Sequence, residues 1–223
     1  LDDGPVTYGV FRDISERKAR ERELEHRQRT LRDIYDIIAD REMSFTEQVE
    51  SLLELGREEL DTDFGSLSRI DGDEYTFEVV DAADDSIEAG DVVPLSATYC
   101  EVAAGEERTL VAGDVDRDAP ELTDRAGYTG WGIPRYVGAP GFVDNEVYGT
   151  FCFYDTDDQS KQFSEWEVTL VDLMSRWVSY GLQAQRARDR ISEENERLDR
   201  VVSVVSHDLR NPLSVTEGYI RLA

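Results

Sequence analysis

Lysine is nearly missing from this chain. Of its 24 basic residues only Lys18 and Lys161 are lysines, and the rest are arginine. Histidine is equally scarce, with His26 and His207 alone. Cysteine is limited to Cys100 and Cys152, too few for a disulfide scaffold, which fits a reduced, intracellular setting. No apolar run approaches the roughly 20 residues of a membrane-spanning helix, and no signal peptide is visible. The expected location is cytoplasmic, with membrane segments upstream left open. No basic patch stands out, so nucleic-acid binding through this segment is not expected.

What abounds is acid. Fifty Asp and Glu residues against 24 Lys and Arg leave a net charge of −26 over 223 residues. In dilute buffer such a chain repels itself, whereas in molar salt the screening length falls to about 3 Å and the repulsion largely vanishes. The acids are spread along the whole chain, which suits a protein of a high-salt cytoplasm, such as a haloarchaeal one. The chain opens on Leu1 and stops inside a helical pattern at Ala223, so it is expected to be a piece of a longer protein.

Val6 to Phe11 alternates and is β-prone, and Asp13 and Ser15 can cap a helix that follows. Residues 16–40 are charged and helical, with Leu24, Leu31 and Ile38 seven apart and Ile34 three after Leu31. Glu and Arg at helical spacing between them suit an exposed, ion-paired surface. His26 lies among Glu25, Arg27 and Arg29 and is given no role. Residues 41–185 hold the one complete globular unit. Phe45, Val49, Leu52, Leu53, Leu55 and Leu60 mark an amphipathic helix. Strands are expected at 62–70, 75–82, 91–95, 109–112, 133–142 and 147–154, with turns at Asp71-Gly72-Asp73 and Asp144-Asn145. A helix is expected from Ser96 through Ala104, and a polar Asp-rich stretch from Asp114 to Asp124. A long helix begins at Ser164, with Trp166, Leu170, Leu173, Met174 and Trp177 on its buried face. Beyond it Ala184, Ile191, Leu198 and Val205 are seven apart, with Ala187 and Val201 at alternate seam positions. No Gly or Pro interrupts residues 183–210, so the helix can act as a rod, roughly 30 Å long from Gln185 to Val205.

Near the end of that rod stands the sharpest motif, Ser206-His207-Asp208-Leu209-Arg210-Asn211-Pro212-Leu213. Leu198, Val202, Val205 and Leu209 form one seam, and His207 points away from it. A neutral imidazole is a nitrogen nucleophile near neutral pH and can accept a phosphoryl group. Asp208 can orient the ring and manage its proton, and Asn211 lies one turn on along the same face. Pro212 cannot donate its amide and tends to bend the helix just past the histidine.

These eight residues resemble the H-box of the phosphoacceptor (HisKA) domain of two-component sensor histidine kinases. The resemblance implies that His207 takes the γ-phosphoryl of ATP and passes it to an aspartate on a response regulator. It further implies that Asn211 helps hold a water for dephosphorylation. Residues 1–14 resemble the exit of a PAS domain. The element order of 41–185, with 138–142 and 146–151 as central hairpin and 163–167 opening the last helix, resembles a GAF domain. The expected class is α+β, an antiparallel sheet with helices flanked by long coiled-coil helices. The expected division is a PAS end (1–14), linker helix (15–40), GAF sensor (41–185), signalling coiled coil (186–200) and truncated phosphoacceptor helix (201–223). The segment would sense a small-molecule, redox or light cue, as part of a homodimeric protein histidine kinase. The ATP-binding domain is absent from this sequence, so the segment alone should neither bind ATP nor phosphorylate itself.

Several GAF-type chemistries are disfavoured by composition. No histidine lies between 41 and 185, which excludes an axial-His haem site there, and two cysteines without His are too few ligands for a structural zinc site. Cys100 is preceded by Tyr99 and followed by Glu101, not by the His of bilin-attaching phytochrome GAF domains. The Asn-Lys-Phe-Asp-Glu signature of cyclic-nucleotide GAF domains is absent. Cys152 alternates with Phe151 and Phe153, which suggests burial, and both cysteines read first as small core residues. Trp131, Tyr128 and Tyr136 are candidates to line a pocket, and the ligand itself stays unknown. A GAF-regulated transcription factor without kinase output remains an alternative, since it would look the same up to about residue 185. A methionine-sulfoxide reductase would need more reactive cysteines.

Overall fold

The computed structural model describes the backbone of residues 4–156 and 161–220 and the side chains of 14–156 and 161–200. Its centre is a six-stranded sheet in the order β3-β2-β1-β6-β5-β4. The strands are β1 (Phe64–Asp71), β2 (Glu74–Ala82), β3 (Val92–Pro94), β4 (Leu110–Ala112), β5 (Arg135–Val143) and β6 (Glu146–Asp155), and every neighbouring pair is antiparallel. Two tight hairpins set the register. Gly72 takes φ +59 between β1 and β2, and Asp144 and Asn145 take φ of 54 and 70 between β5 and β6. Paired left-handed residues of the Asp/Asn type twist a two-residue turn in the sense of the strands it joins. At Gly149 a Cβ would stand 1.7 Å from the Ser68 carbonyl oxygen, so only glycine lets β6 close on β1 there.

Because side chains alternate across a strand, β6 feeds both faces of the sheet. Phe151 and Phe153 point into one core, and Cys152 and Tyr154 into the other. Three helices lie on the first side, two of them against the sheet and the first in the chain packed on the second. These are α1 (Gly4–Ala39), α2 (Phe45–Leu60) and α6 (Glu165–Ile220). Ser44 and Glu47 form a capping box at the start of α2, and Asp61 ends it in the left-handed conformation. Val49, Leu52, Leu53 and Leu60 of α2 and Leu170, Val171, Met174 and Val178 of α6 are fully buried. Each contributes about 1.5–3 kcal/mol by leaving water. Gly181 admits the Phe45 ring, whose atoms would lie 2.2 Å from an added Cβ, and so lets α6 approach α2. The end of α1 is tied down by Gln48, whose amide nitrogen donates to the carbonyls of Ile37, Ile38 and Asp40 at 3.2, 3.3 and 2.9 Å. His26 Nε2 lies 2.9 Å from Glu59 Oε2, and the Arg27 guanidinium sits over the Trp166 ring.

The opposite face is covered by short elements: α3 (Cys100–Gly105), α4 (Val115–Asp118), α5 (Ala126–Thr129) and 3-10 turns at Leu95–Ala97 and Pro120–Leu122. Two expectations are corrected here, and a third segment gains a conformation. The strand expected at 6–11 is instead part of α1. No neighbouring strand for it exists among the described residues, and a helix satisfies its own backbone groups without one. The single helix expected from Ser96 to Ala104 is broken at Thr98, which is extended. Both the Thr98 amide and its hydroxyl bond to the Leu95 carbonyl, which closes a 3-10 turn and stops it propagating. The polar stretch 114–124 is partly helical, because Val115, Ala119 and Leu122 recur on one side and are buried.

One buried ion pair joins the two ends of this architecture. Arg135 opens β5 and is 1 % exposed; its Nη1 lies 2.8 Å from Asp155 Oδ2 at the end of β6. Arg135 also donates to the carbonyls of Leu60 and Asp61, and its guanidinium stacks on Phe163, 3.9 Å from the ring centroid. Asp155 in turn accepts from the Asp63 amide. Burial raises the Asp155 carboxyl above its ordinary value even against the opposing pull of Arg135. Removing one partner of such a pair strands the other in a dry site, typically at about 3–5 kcal/mol. In urea unfolding, Arg135→Met and Asp155→Leu are each expected to lose about that much. The double variant should lose clearly less than the sum, and additive losses would count against this account.

Candidate ligand-binding site

The face of the sheet away from the long helices carries a buried polar cluster. It starts from small side chains in register on three strands. Cys152 on β6 lies opposite Ser66 on β1 and Gly138 on β5, and Thr150 lies opposite Ser68. Small residues there leave room above the sheet for groups from elsewhere. Tyr75 reaches in from β2, with its hydroxyl 2.9 Å from Thr150 Oγ1 and 3.0 Å from Cys100 Sγ. Tyr136 reaches in from β5, with its hydroxyl 3.2 Å from Cys100 Sγ. It lies back over Gly138, where a Cβ would meet that hydroxyl at 2.0 Å. Ser66 Oγ stands 3.3 Å from Cys152 Sγ. The two sulfurs are 3.9 Å apart, and both thiols are free and buried.

Beside the sulfurs lies a small chamber of about 20 Å³, walled by Cys100, Cys152, Tyr75, Tyr136, Phe77 and Trp131 among others. Its size suits one water. A groove of about 350 Å³ adjoins it and shares Phe77, Trp131, Ile133 and Tyr154 as a common wall. The roof is the segment from α5 to Ile133. Tyr99 holds it by donating to the Ile133 carbonyl at 2.9 Å and by an edge-on contact with the Tyr136 ring. Arg125 holds it by donating to the Ser96 and Thr98 carbonyls and by an ion pair with Glu101. Gly132 takes φ +64 in the roof, and Trp131 is 36 % exposed at its rim. The lining is aromatic with a few hydroxyl and thiol groups, as ligand pockets commonly are.

The electrostatics follow from dryness. Burial drives the Tyr75 and Tyr136 phenols well above their ordinary value, reinforced by the adjacent thiols. Burial alone would raise Cys100 too. Hydrogen bonds from Cys152, Thr150, Tyr136 and Tyr75 to its ionised form outweigh that and hold it below the ordinary thiol value. Cys152 is pushed the other way, first by its contact with Cys100 and then by burial.

Of the residues singled out by sequence, Trp131 and Tyr136 line the chamber and both cysteines join it. Tyr128 instead donates to Asp116 at 2.5 Å. Sequence reasoning missed Tyr75, Tyr99 and Thr150. The available signal was alternation, since Tyr75 and Phe77 share one side of β2 and Thr150 shares one side of β6 with Cys152. His207, Asp208 and Asn211 lie in the backbone of α6, far along the chain from the chamber, and their side chains are outside the described residues.

The helix α6 contacts the other face of the same strands. Ser175 donates to the Pro140 carbonyl, and the Phe142 amide donates to Ser179. Further on, Arg186 lies over the Tyr148 ring and Arg190 pairs with Asp144 in the β5–β6 turn. Leu173, Tyr180, Ile191 and Leu198 of α6 and Leu24, Leu31 and Tyr35 of α1 stay exposed. No helix among the described residues is long and apolar enough to cross a membrane.

The sequence matches the GAF domain family over residues 44–182. A curated relative, the methanogenesis regulatory histidine kinase FilI of Methanothrix harundinacea, is 27 % identical over 141 residues, or 57 % of this chain. The match spans only 15 % of that relative's length. Among solved structures, the GAF domain of an Acinetobacter phosphoenolpyruvate-protein phosphotransferase is similar at a TM-score of 0.60 and 14 % identity, covering 74 % of this chain and 98 % of that one. The free methionine-R-sulfoxide reductase of Neisseria meningitidis is similar at 0.56 and 16 % identity, covering 73 % and 91 %. At such identities the structural likeness speaks for the fold alone.

The buried phenols make alkaline stability a test of the cluster. Their folded values lie above the unfolded value of about 10, so the stability they lend is whole below about pH 10 and falls as pH rises past it. Tyrosinate absorbance from Tyr75 and Tyr136 is expected to appear together with loss of the near-ultraviolet circular dichroism. Absorbance equal to that of all ten tyrosines, in a protein still folded, would contradict the geometry.

Proposed function

This chain belongs to the GAF domain family, and on that premise we propose that it is the sensing segment of a two-component sensor histidine kinase. The observation that carries the reading is the continuity of α6. Its first turns are buried against the sheet through Leu170, Met174 and Val178, and the same helix continues through position 207 to Ile220. The H-box resemblance of residues 206–213 and the kinase relative support the same reading.

In this proposal a small molecule or redox cue acts on the aromatic chamber. The strands β5 and β6 carry the change to their other face, where Ser175, Ser179, Arg186 and Arg190 of α6 grip Pro140, Phe142, Tyr148 and Asp144. A small rotation or shift of α6 then alters how His207 is presented. His207 takes the γ-phosphoryl of ATP held by a kinase domain elsewhere in the parent, and a response-regulator aspartate receives it. Asp208 orients the ring, and Asn211 positions a water for dephosphorylation. The exposed heptad positions of α1 and α6 pair with those of a second copy, giving a homodimer. Phosphate labelling from ATP in the full-length parent should vanish on His207→Gln, and persistent labelling would refute the proposal.

The acid excess and the scarcity of lysine support a high-salt home. Raising potassium chloride from dilute to molar concentration should move the thermal midpoint of this chain upward, as screening removes self-repulsion. A midpoint that stays flat or falls would argue for an ordinary acidic protein.

A further inference from the structure

The two thiols are the groups in this molecule that packing alone explains least. A pair of core hydrophobes needs no hydroxyls, yet Cys100 has two phenols within 3.0 and 3.2 Å and Cys152 has a serine within 3.3 Å. The sulfurs come from different elements, α3 and β6, and stand 3.9 Å apart with the chamber touching both. A disulfide bond is about 2.0 Å long, so joining them asks for roughly 2 Å of movement. The first residue of the short α3 can supply this more readily than Cys152, which the β1 and β5 ladders hold on both sides.

We propose that Cys100 and Cys152 are a modification site, a dithiol that a small hydroperoxide oxidises to an intramolecular disulfide. The thiolate sulfur of Cys100 attacks one peroxide oxygen and the O–O bond breaks. The oxygen left on sulfur makes Cys100 a sulfenic acid, and the other oxygen leaves as water or an alcohol after taking a proton. The Cys152 sulfur then attacks the Cys100 sulfur. The S–S bond forms, the S–O bond breaks, and hydroxide leaves as water with the Cys152 proton. Two thiols and one hydroperoxide thus become one disulfide, one water and one alcohol, or two waters where the oxidant is hydrogen peroxide. Two electrons pass from sulfur to the peroxide oxygens.

The surroundings assign the order of events. Tyr75 and Tyr136 can each donate to an ionised Cys100, which favours the attacking thiolate there. Cys152, 3.9 Å away and fixed between two strand ladders, is suited to resolve. The chamber sets the size of the oxidant, since it is about 20 Å³ and is parted from the wider groove by a wall that includes Trp131 and Ile133. Oxidation ties α3 to β6, the strand whose other face packs against the helical layer. The inference deepens the sensing role proposed above by naming the class of stimulus, but its chemistry can be read without any kinase output.

The test treats the whole chain with hydrogen peroxide, alkylates the remaining thiols and maps peptides without reductant. A linked Cys100–Cys152 peptide, lighter by two hydrogens than the two thiol peptides, is expected, and its absence overturns the proposal. Under the same treatment a sulfenic-acid trap should label Cys100 in Cys152→Ser and leave Cys152 unlabelled in Cys100→Ser; the reverse pattern overturns the assigned order. Glutathione disulfide, too large for the chamber, should leave both thiols of the wild-type protein free to alkylation, and equally fast oxidation by it overturns the access argument. The wild-type map stands even where a variant fails to fold. If His207 labelling fails while the linked peptide forms, only the kinase reading is lost.

Discussion

The buried contact between Arg135 and Asp155 is the constraint from which the rest of the arrangement follows. It fastens the entry of β5 to the exit of β6, and through two carbonyls it also holds the end of α2. A guanidinium is suited to this place because its planar fork can satisfy a carboxylate and two carbonyls at once while its face stacks on Phe163. Such a pair is weak evidence of net stability. What it provides is registration, since helix, hairpin and the segment before α6 all meet one charge.

With that corner secured, the sheet works as a partition. On one side α2 and α6 bury aliphatic and aromatic side chains in an ordinary dry core. On the other, short helices roof a cluster of thiols, hydroxyls and phenols. Both sides are served by the same two long strands, so movement of Cys152 or Tyr136 is felt by Phe151, Phe153 and Val137 within one residue. Close packing transmits strain across so short a distance. The ends of the sheet add polar handles on α6, at Tyr148 and Asp144. The Tyr148 hydroxyl also bonds to Glu78, which pairs with Arg69. The handle on Arg186 therefore reaches from β6 into β2 and β1.

Much of this was legible from one sequence. The alternation of Cys152 with Phe151 and Phe153, the Asp-Gly and Asp-Asn turns and the aliphatic spacing of α2 each imply a structure on local grounds, because period and turn chemistry act over a few residues. The segments read less well either needed a distant partner or carried a local pattern that hid their conformation. Residues 6–11 have β-prone side chains, but a strand exists only against another strand. Thr98 breaks a helical run through two bonds to Leu95, a local device too, but one that a helical pattern of side chains conceals. Val115, Ala119 and Leu122 were hidden among aspartates because the acids face outward and the apolar residues inward.

The same division applies to the functional residues. The motif around His207, the heptads that lead to it and the acidic surface are properties of contiguous residues, and sequence by itself determined them. The chamber is different. Cys100, Cys152, Tyr75, Tyr136 and Thr150 are scattered over some 75 positions, and their side chains meet only when β2, β5, β6 and α3 are assembled. Tertiary structure alone decided that two apparently ordinary core cysteines would share a dry polar pocket, because proximity between distant positions is a consequence of sheet order and register and leaves no local mark in the chain.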